Sequence, residues 1–229
     1  KVFFVGCCPS FIAVSHKTHE IYVTNADSDS ISIVHNRENL KLVGQIPVGS
    51  MPQGIDCHPW LPLIAVANMN SHDIWFIETE KYNIINRVQV DDYPSQLKFS
   101  RNGKRLYVGC YFNEFKKDGR LILIDLHGYG IIYEMIVGCI PLQMVETRDG
   151  KYLLIASTGT GRLEIVDCDS RSIINEIEIG SMVYGVALDA QERYAYVTNM
   201  DEETVSMIDW EKGNKVADIK VGKEPRGIV

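Results

Sequence analysis

Apolar residues along the chain come in short runs of four to seven, each closed by a polar turn. Between positions 184 and 221 the runs are Tyr184–Leu188, Tyr194–Thr198, Val205–Ile208 and Lys215–Val221. The separators are Asp189-Ala190-Gln191-Glu192, Asn199-Met200-Asp201-Glu202-Glu203 and Trp210-Glu211-Lys212-Gly213. Runs of this length, rich in Val, Ile and Tyr and bounded by Asn, Asp and Gly, predict β-strands. No stretch carries a sustained 3.6-residue period with caps, so no long helix is expected.

The four-run unit repeats. Unit starts read Gly6-Cys7-Cys8-Pro9, Gly49-Ser50-Met51-Pro52, Asp91-Asp92-Tyr93-Pro94, Gly138-Cys139-Ile140-Pro141, Gly180-Ser181-Met182-Val183 and Gly222-Lys223-Glu224-Pro225, at steps of 43, 42, 47, 42 and 42 residues. Four antiparallel strands in a period of about 40–45 residues predict a β-propeller blade. The fold class is therefore all-β: five full repeats (6–48, 49–90, 91–137, 138–179, 180–221) in one domain over 1–229, with part-repeats at 1–5 and 222–229. The part-repeats lack a second and third strand. They point to a piece of a larger ring; the alternative is a closed five-bladed ring with both ends as appendages.

Tyr22-Val23-Thr24-Asn25 returns as Tyr196-Val197-Thr198-Asn199, and relaxes to Val66-Ala67-Asn68, Tyr107-Val108-Gly109-Cys110 and Ile155-Ala156-Ser157 in the other units. Over nearly all 229 residues the chain resembles the YVTN family of β-propeller repeats, known from surface-layer and other cell-envelope proteins. The resemblance implies a seven-bladed ring and a cell-surface or extracellular location. It implies no particular activity, because propellers host enzymes, binders and scaffolds alike.

A net charge of −7 argues against a nucleic-acid partner, which would need a basic face. No apolar run is long enough for a membrane-spanning helix. The six cysteines, Cys7, Cys8, Cys57, Cys110, Cys139 and Cys168, form no CxxC, zinc or CxxCH pattern. Read as free thiols they suit a reducing environment, against the location the resemblance implies.

Residues that recur in every blade belong to the scaffold. Asp125, Asp167 and Asp209 share one position after the third strand and are expected to cap turns, with Glu78 and His35 as variants in the same slot. His16 and His19 read as a solvated turn rather than a metal pair. No catalytic residue, metal ligand or cofactor is expected. Three departures from the repeat stand out on the inner strands: Asp56 and Lys98, expected to pair across adjacent blades, and Glu146.

The expected binding face is built from the unit-joining loops and the loops between second and third strands: Met51, Gln53, Tyr93, Gln96, Gln143, Tyr184 and Arg226 within an acidic rim. The third unit adds the insertion 111–119, whose Tyr111, Phe112 and Phe115 are expected as partly exposed anchors. The leading expectation is a non-catalytic recognition or scaffold module binding a protein, peptide or glycan there, with possible association through open blade edges. The alternative is a propeller enzyme, lactonase-like or a dehydrogenase subunit, with its site at the channel mouth.

Overall fold

A computed structural model describes residues 4–15, 17–35, 40–111 and 118–229. Twenty strands form five four-stranded antiparallel sheets. The first sheet holds β1 (Pro9–Val14), β2 (Glu20–Asn25), β3 (Ser30–His35) and β4 (Lys41–Pro47). The second holds β5 (Pro52–Cys57), β6 (Leu63–Asn68), β7 (Asp73–Glu78) and β8 (Ile84–Gln89). The third holds β9 (Tyr93–Phe99), β10 (Arg105–Tyr111), β11 (Gly119–Asp125) and β12 (Gly130–Val137). The fourth holds β13 (Pro141–Glu146), β14 (Tyr152–Ser157), β15 (Arg162–Asp167) and β16 (Ser172–Glu178). The fifth holds β17 (Val183–Leu188), β18 (Ala195–Asn199), β19 (Thr204–Asp209) and β20 (Asn214–Lys220). Among the described residues the one helical piece is a 3-10 turn at Ala26–Ser28.

The chain divides into two compact units, Lys1–Val108 with Ile122–Glu134, and Gly109–Leu121 with Met135–Val229. In the first unit β1 packs on β5 and β5 on β9. Tyr22, Ile31, Ile64, Val66 and Ile77 fill the space between the first two sheets. In the second unit β13 packs on β17, around Leu154, Leu163, Ile165, Val197, Ile208 and Trp210. The second strands β6 and β14 are almost wholly apolar because both their faces are covered; the fourth strand β16 alternates and faces water on one side. Ile12 of β1 departs from its inner-strand counterparts: it is 64 % exposed, where Ile55 and Leu97 are buried.

The Tyr-Val-Thr-Asn signature has a physical explanation. Four of the first strands carry a register shift near their start, between Pro9 and Ile12, Pro52 and Ile55, Pro141 and Gln143, and Val183 and Val186. Such a bulge leaves an N–H without a ladder partner. The threonine supplies one: Phe11 N–H donates to Thr24 Oγ1 at 3.0 Å, and Gly185 N–H to Thr198 Oγ1 at 2.7 Å. The same hydroxyls donate onward to the next first strand, Thr24 to Gln53 O at 2.8 Å and Thr198 to Arg226 O at 2.6 Å. The asparagine is buried and holds the following turn, Asn25 through Ser30 and Ser32, and Asn199 through Thr204 and Ser206.

First strands approach so closely that a side chain is excluded. A Cβ on Gly185 would stand 2.6 Å from Arg226 O and 2.8 Å from Gln143 Oε1. The third residue of the unit start is left-handed at Cys8, Met51, Ile140, Met182 and Glu224, with φ between 48° and 58°. Its carbonyl accepts the N–H that follows the asparagine position, as Met51 O does from Met69 and Met182 O from Met200. That bond holds a backbone conformation disfavoured for these residue types.

Candidate functional site

At the loop end of the first unit, Met51 N–H donates to Asp29 Oδ1 at 2.8 Å, which ties the unit-joining loop to the turn after β2. The Tyr93 ring packs 4.6 Å from His72, whose Nδ1 lies 3.1 Å from Asp92 O. The Gln53 carbonyl is taken by Thr24, and Gln96 Oε1 accepts the Leu97 N–H. Both glutamines are half-buried. Deeper along the inner strands, Lys98 Nζ stands 3.4 Å from Asp56 Oδ2, as expected from their places in adjacent blades. Asp56 is further held by the N–H groups of Phe99 and Cys57. Burial, ahead of the Asp56 charge, pushes the neighbouring Cys57 thiol far up, so it is no nucleophile at neutral pH.

In the second unit Gln143 reaches from β13 and donates to Ile228 O at 3.0 Å. With Thr198 on Arg226 O, this lays 226–228 beside β17 where a further first strand would lie. The Arg226 guanidinium stands over the half-buried Tyr184 ring at 5.9 Å. Tyr111 closes β10 and is half-buried; Phe112 and Phe115 lie outside the described residues, as does His16. Glu164, also buried here, has its carboxyl pushed up by burial, against hydrogen bonds from Ser157 at 2.5 Å and Gly138 N–H at 2.8 Å. It occupies the place that Ser32 and Ser206 hold in their blades and belongs to the turn staple.

The turn-capping aspartates behave as expected. Asp125 Oδ2 accepts from the N–H groups of His127 and Gly128, Asp167 Oδ1 from Asp169 and Ser170, and Asp209 Oδ1 from Lys212. Glu78 does the same for Glu80 and Lys81. His35 is the correction. It fills the same slot, but its Nε2 lies 2.9 Å from Glu20 Oε1, directly across the β2–β3 ladder. An imidazole there meets a carboxylate on the facing strand that the other blades lack: Leu63 and Tyr152 occupy that position opposite Glu78 and Asp167.

Glu20 is the centre of a cluster not foreseen as a site. It is 6 % exposed and accepts hydrogen bonds from Tyr22 Oη, from Tyr82 Oη at 2.6 Å and from His35. Burial pushes its carboxyl up, but these bonds outweigh burial and hold it below the usual carboxylate range. Burial and the carboxylate push both tyrosines up. The cluster opens into a cleft of about 440 Å³ between the first two blades, at the end of the first unit opposite Met51 and Tyr93. Among the described residues no group of three His, Cys, Asp or Glu side chains converges as a metal set.

Residues 154–229 match the model of the Cytochrome D1 heme domain. No curated protein matches the chain. Among solved structures, hydrazine synthase of Kuenenia stuttgartiensis is similar at a TM-score of 0.84 and 19% identity, over 94% of this chain and 75% of that one. The fold is a β-propeller. At that identity the likeness shows the fold alone, and neither comparison identifies a surface-layer protein.

Proposed function

We propose that this chain is an enzyme-linked propeller, the alternative drawn from the sequence, and that its own part is to bind and orient rather than to ligate haem. The observation that carries this reading is the match of 154–229 to the Cytochrome D1 heme domain. The likeness to hydrazine synthase, a propeller within another enzyme, supports it.

The donor chemistry argues against haem held by this stretch. Residues 154–229 contain no histidine. The other side chains that ligate haem iron are thiolate, thioether and phenolate. Here Cys168 is buried just after β15 and the Tyr184 ring lies beneath Arg226, while Met182, Met200, Met207, Tyr194 and Tyr196 supply the stretch's other thioethers and phenols. The residues present do not fit a histidine-held haem, and no step is routed through one. Gln143, Tyr184 and Arg226 in the second unit, and Met51, Gln53, Tyr93 and Gln96 in the first, serve on this reading as the contact set for substrate or for a catalytic partner domain. Tyr111, Phe112 and Phe115 would extend it.

The test is turnover by the purified chain on a panel of lactones, and on alcohols and aldehydes with a dye as electron acceptor. Wild type, Arg226→Ala and Asp56→Asn are compared, and absorbance near the Soret region is recorded. Turnover that falls at least tenfold in a variant supports the enzyme reading. A chain inert across the panel, with or without its variants, belongs instead to the non-catalytic recognition class. A Soret band that shifts in a variant of 154–229 overturns the haem argument.

A further inference from the structure

We infer that His58 is an acid-released latch: it holds the turn that presents Trp60 and Leu61, and frees that turn, with the blades still folded, when its ring takes up a proton. The latch is independent of the enzyme reading, because none of its residues belongs to that contact set.

Each blade leaves its first strand at a residue whose N–H donates to a carbonyl at the start of the second: Ser15, His58, Ser100, Thr147 and Asp189. In four blades the side chain there is an oxygen acceptor for a backbone N–H. Ser15 Oγ takes Thr18, Ser100 Oγ takes Arg105, Thr147 Oγ1 takes Tyr152 and Asp189 Oδ1 takes Tyr194. Hydroxyls and carboxylates go on accepting through the neutral and mildly acid range. The second blade carries an imidazole instead. His58 Nδ1 accepts from Trp60 N–H at 3.0 Å and from Leu61 N–H at 2.9 Å. Its Nε2 lies 2.9 Å from Gly103 O, which fixes the neutral tautomer with the proton on Nε2.

This arrangement needs a bare lone pair on Nδ1. A proton there would face two N–H donors, and both would lose their acceptor. The Nε2–H bond to Gly103 O survives protonation and gains charge assistance, so the ring stays and the turn leaves. The ring is well held. It is 6 % exposed, meets the Phe99 ring edge-on at 5.2 Å, and lies so close to Gly103 that a Cβ there would stand 2.6 Å from it. The turn is not: Trp60 is 66 % exposed and Leu61 53 %. Pro62 O keeps its bond from Thr79 N–H, which confines the movement to the residues before it. Among the charged groups on the elements packed around His58, Asp56 lies on its own strand and pairs with Lys98 of β9. Arg101 and Lys104 flank Gly103, and Glu78, Glu80 and Lys81 lie on the β7–β8 turn. Burial, against the Gly103 bond and the Asp56 charge, lowers the pKa of the latched ring. The latch is therefore closed above the ordinary value of 6.5 and opens as pH falls below it.

The experiment is amide hydrogen exchange of the intact chain, followed by NMR at pH 7.5 and pH 5.0, each rate divided by its intrinsic value at that pH. A proton taken up by an ordinary freed imidazole, and refused by the latched one, favours release about thirtyfold at the lower pH. Protection of the Trp60 and Leu61 amides should fall at least tenfold, while the amides of β6 and β7 keep theirs. His58→Asn places an oxygen acceptor near the Nδ1 position and cannot be protonated, so its turn amides should be equally protected at both values. Should that variant fail to fold, the wild type decides alone: the Trp60 and Leu61 amide shifts must follow the His58 ring titration with one midpoint. Protection that ignores pH overturns the inference, as does a loss shared by β6 and β7, a loss that persists in His58→Asn, or two separate midpoints.

Discussion

Replacing Thr198 by Val tests the threonine bridge directly. The two side chains have nearly the same shape, so the perturbation is one hydroxyl. Thr198 is 3 % exposed, and its hydroxyl serves Gly185 N–H at 2.7 Å and Arg226 O at 2.6 Å. Gly185 is buried, so its N–H would be stranded; Arg226 is exposed, and water can replace its lost donor. Stranding one buried donor costs about 1–3 kcal/mol, while a hydrogen bond exchanged for water costs about 0.5–1.5 kcal/mol at most. The expected loss is about 2 kcal/mol. For a chain of this length, about 2–4 °C of melting temperature goes with each kcal/mol, so Thr198→Val should melt roughly 4–8 °C lower. Thr198→Ser keeps the hydroxyl and loses a methyl, and should sit between wild type and Val. Thermal melts followed by circular dichroism decide it. A Val variant as stable as wild type, or a Ser variant less stable than Val, would refute the claim that the hydroxyl, not the methyl, joins the strands.

Gly185→Ala should lower stability by about 1–3 kcal/mol in urea melts, because its Cβ meets the Arg226 carbonyl at 2.6 Å. His58 accepts two backbone N–H groups at Nδ1, from Trp60 and Leu61, while Nε2 faces Gly103 O. Burial lowers its pKa against the bond to Gly103, so its contribution is full above the ordinary value of 6.5 and lost as pH falls below it. Urea melts at pH 7.5 and 5.5 should show that loss in wild type and a smaller one in His58→Gln. Asp167, with its pKa lowered first by the Ser170 backbone hydrogen bond, gives stability present above its ordinary value of 3.8 and lost as pH falls further. Asp167→Ala should flatten the acid limb of the stability profile. Lys98→Ala should cost no more than about 1 kcal/mol, because the lysine is 38 % exposed and water screens its pair with Asp56.

The blades were legible because the period, the turn residues and the strand lengths agree at every level. The aspartate caps were legible for the same reason: a residue that recurs in every repeat serves what every repeat needs. Asp56 and Lys98 were found by the opposite rule, as departures at matched positions. The same rule could have found Glu20 and His35, which break the pattern at two positions facing each other across one ladder. Read singly, His35 looks like a cap variant, and Glu20 is only a polar residue at the start of a strand. Tyr82 was beyond reach, since its hydroxyl joins Glu20 from the neighbouring blade, 62 positions away. The bond from Gln143 to Ile228 was equally beyond reach, since it joins residues 85 positions apart.

The threonine bridge also gives the molecule a direction in time. Thr24 donates to a carbonyl 29 residues later, Thr158 to Val183 O 25 later and Thr198 to Arg226 O 28 later. In each pair the donor is made first and its acceptor follows within one repeat. On the ribosome, the first, fourth and fifth blades therefore each present a waiting hydroxyl to the strand that emerges next. Assembly should advance from the N-terminus one blade at a time, as nearest-neighbour arrays do, without long loops to close. Chains stalled after 180 residues should already protect the amides of their earlier blades from hydrogen exchange.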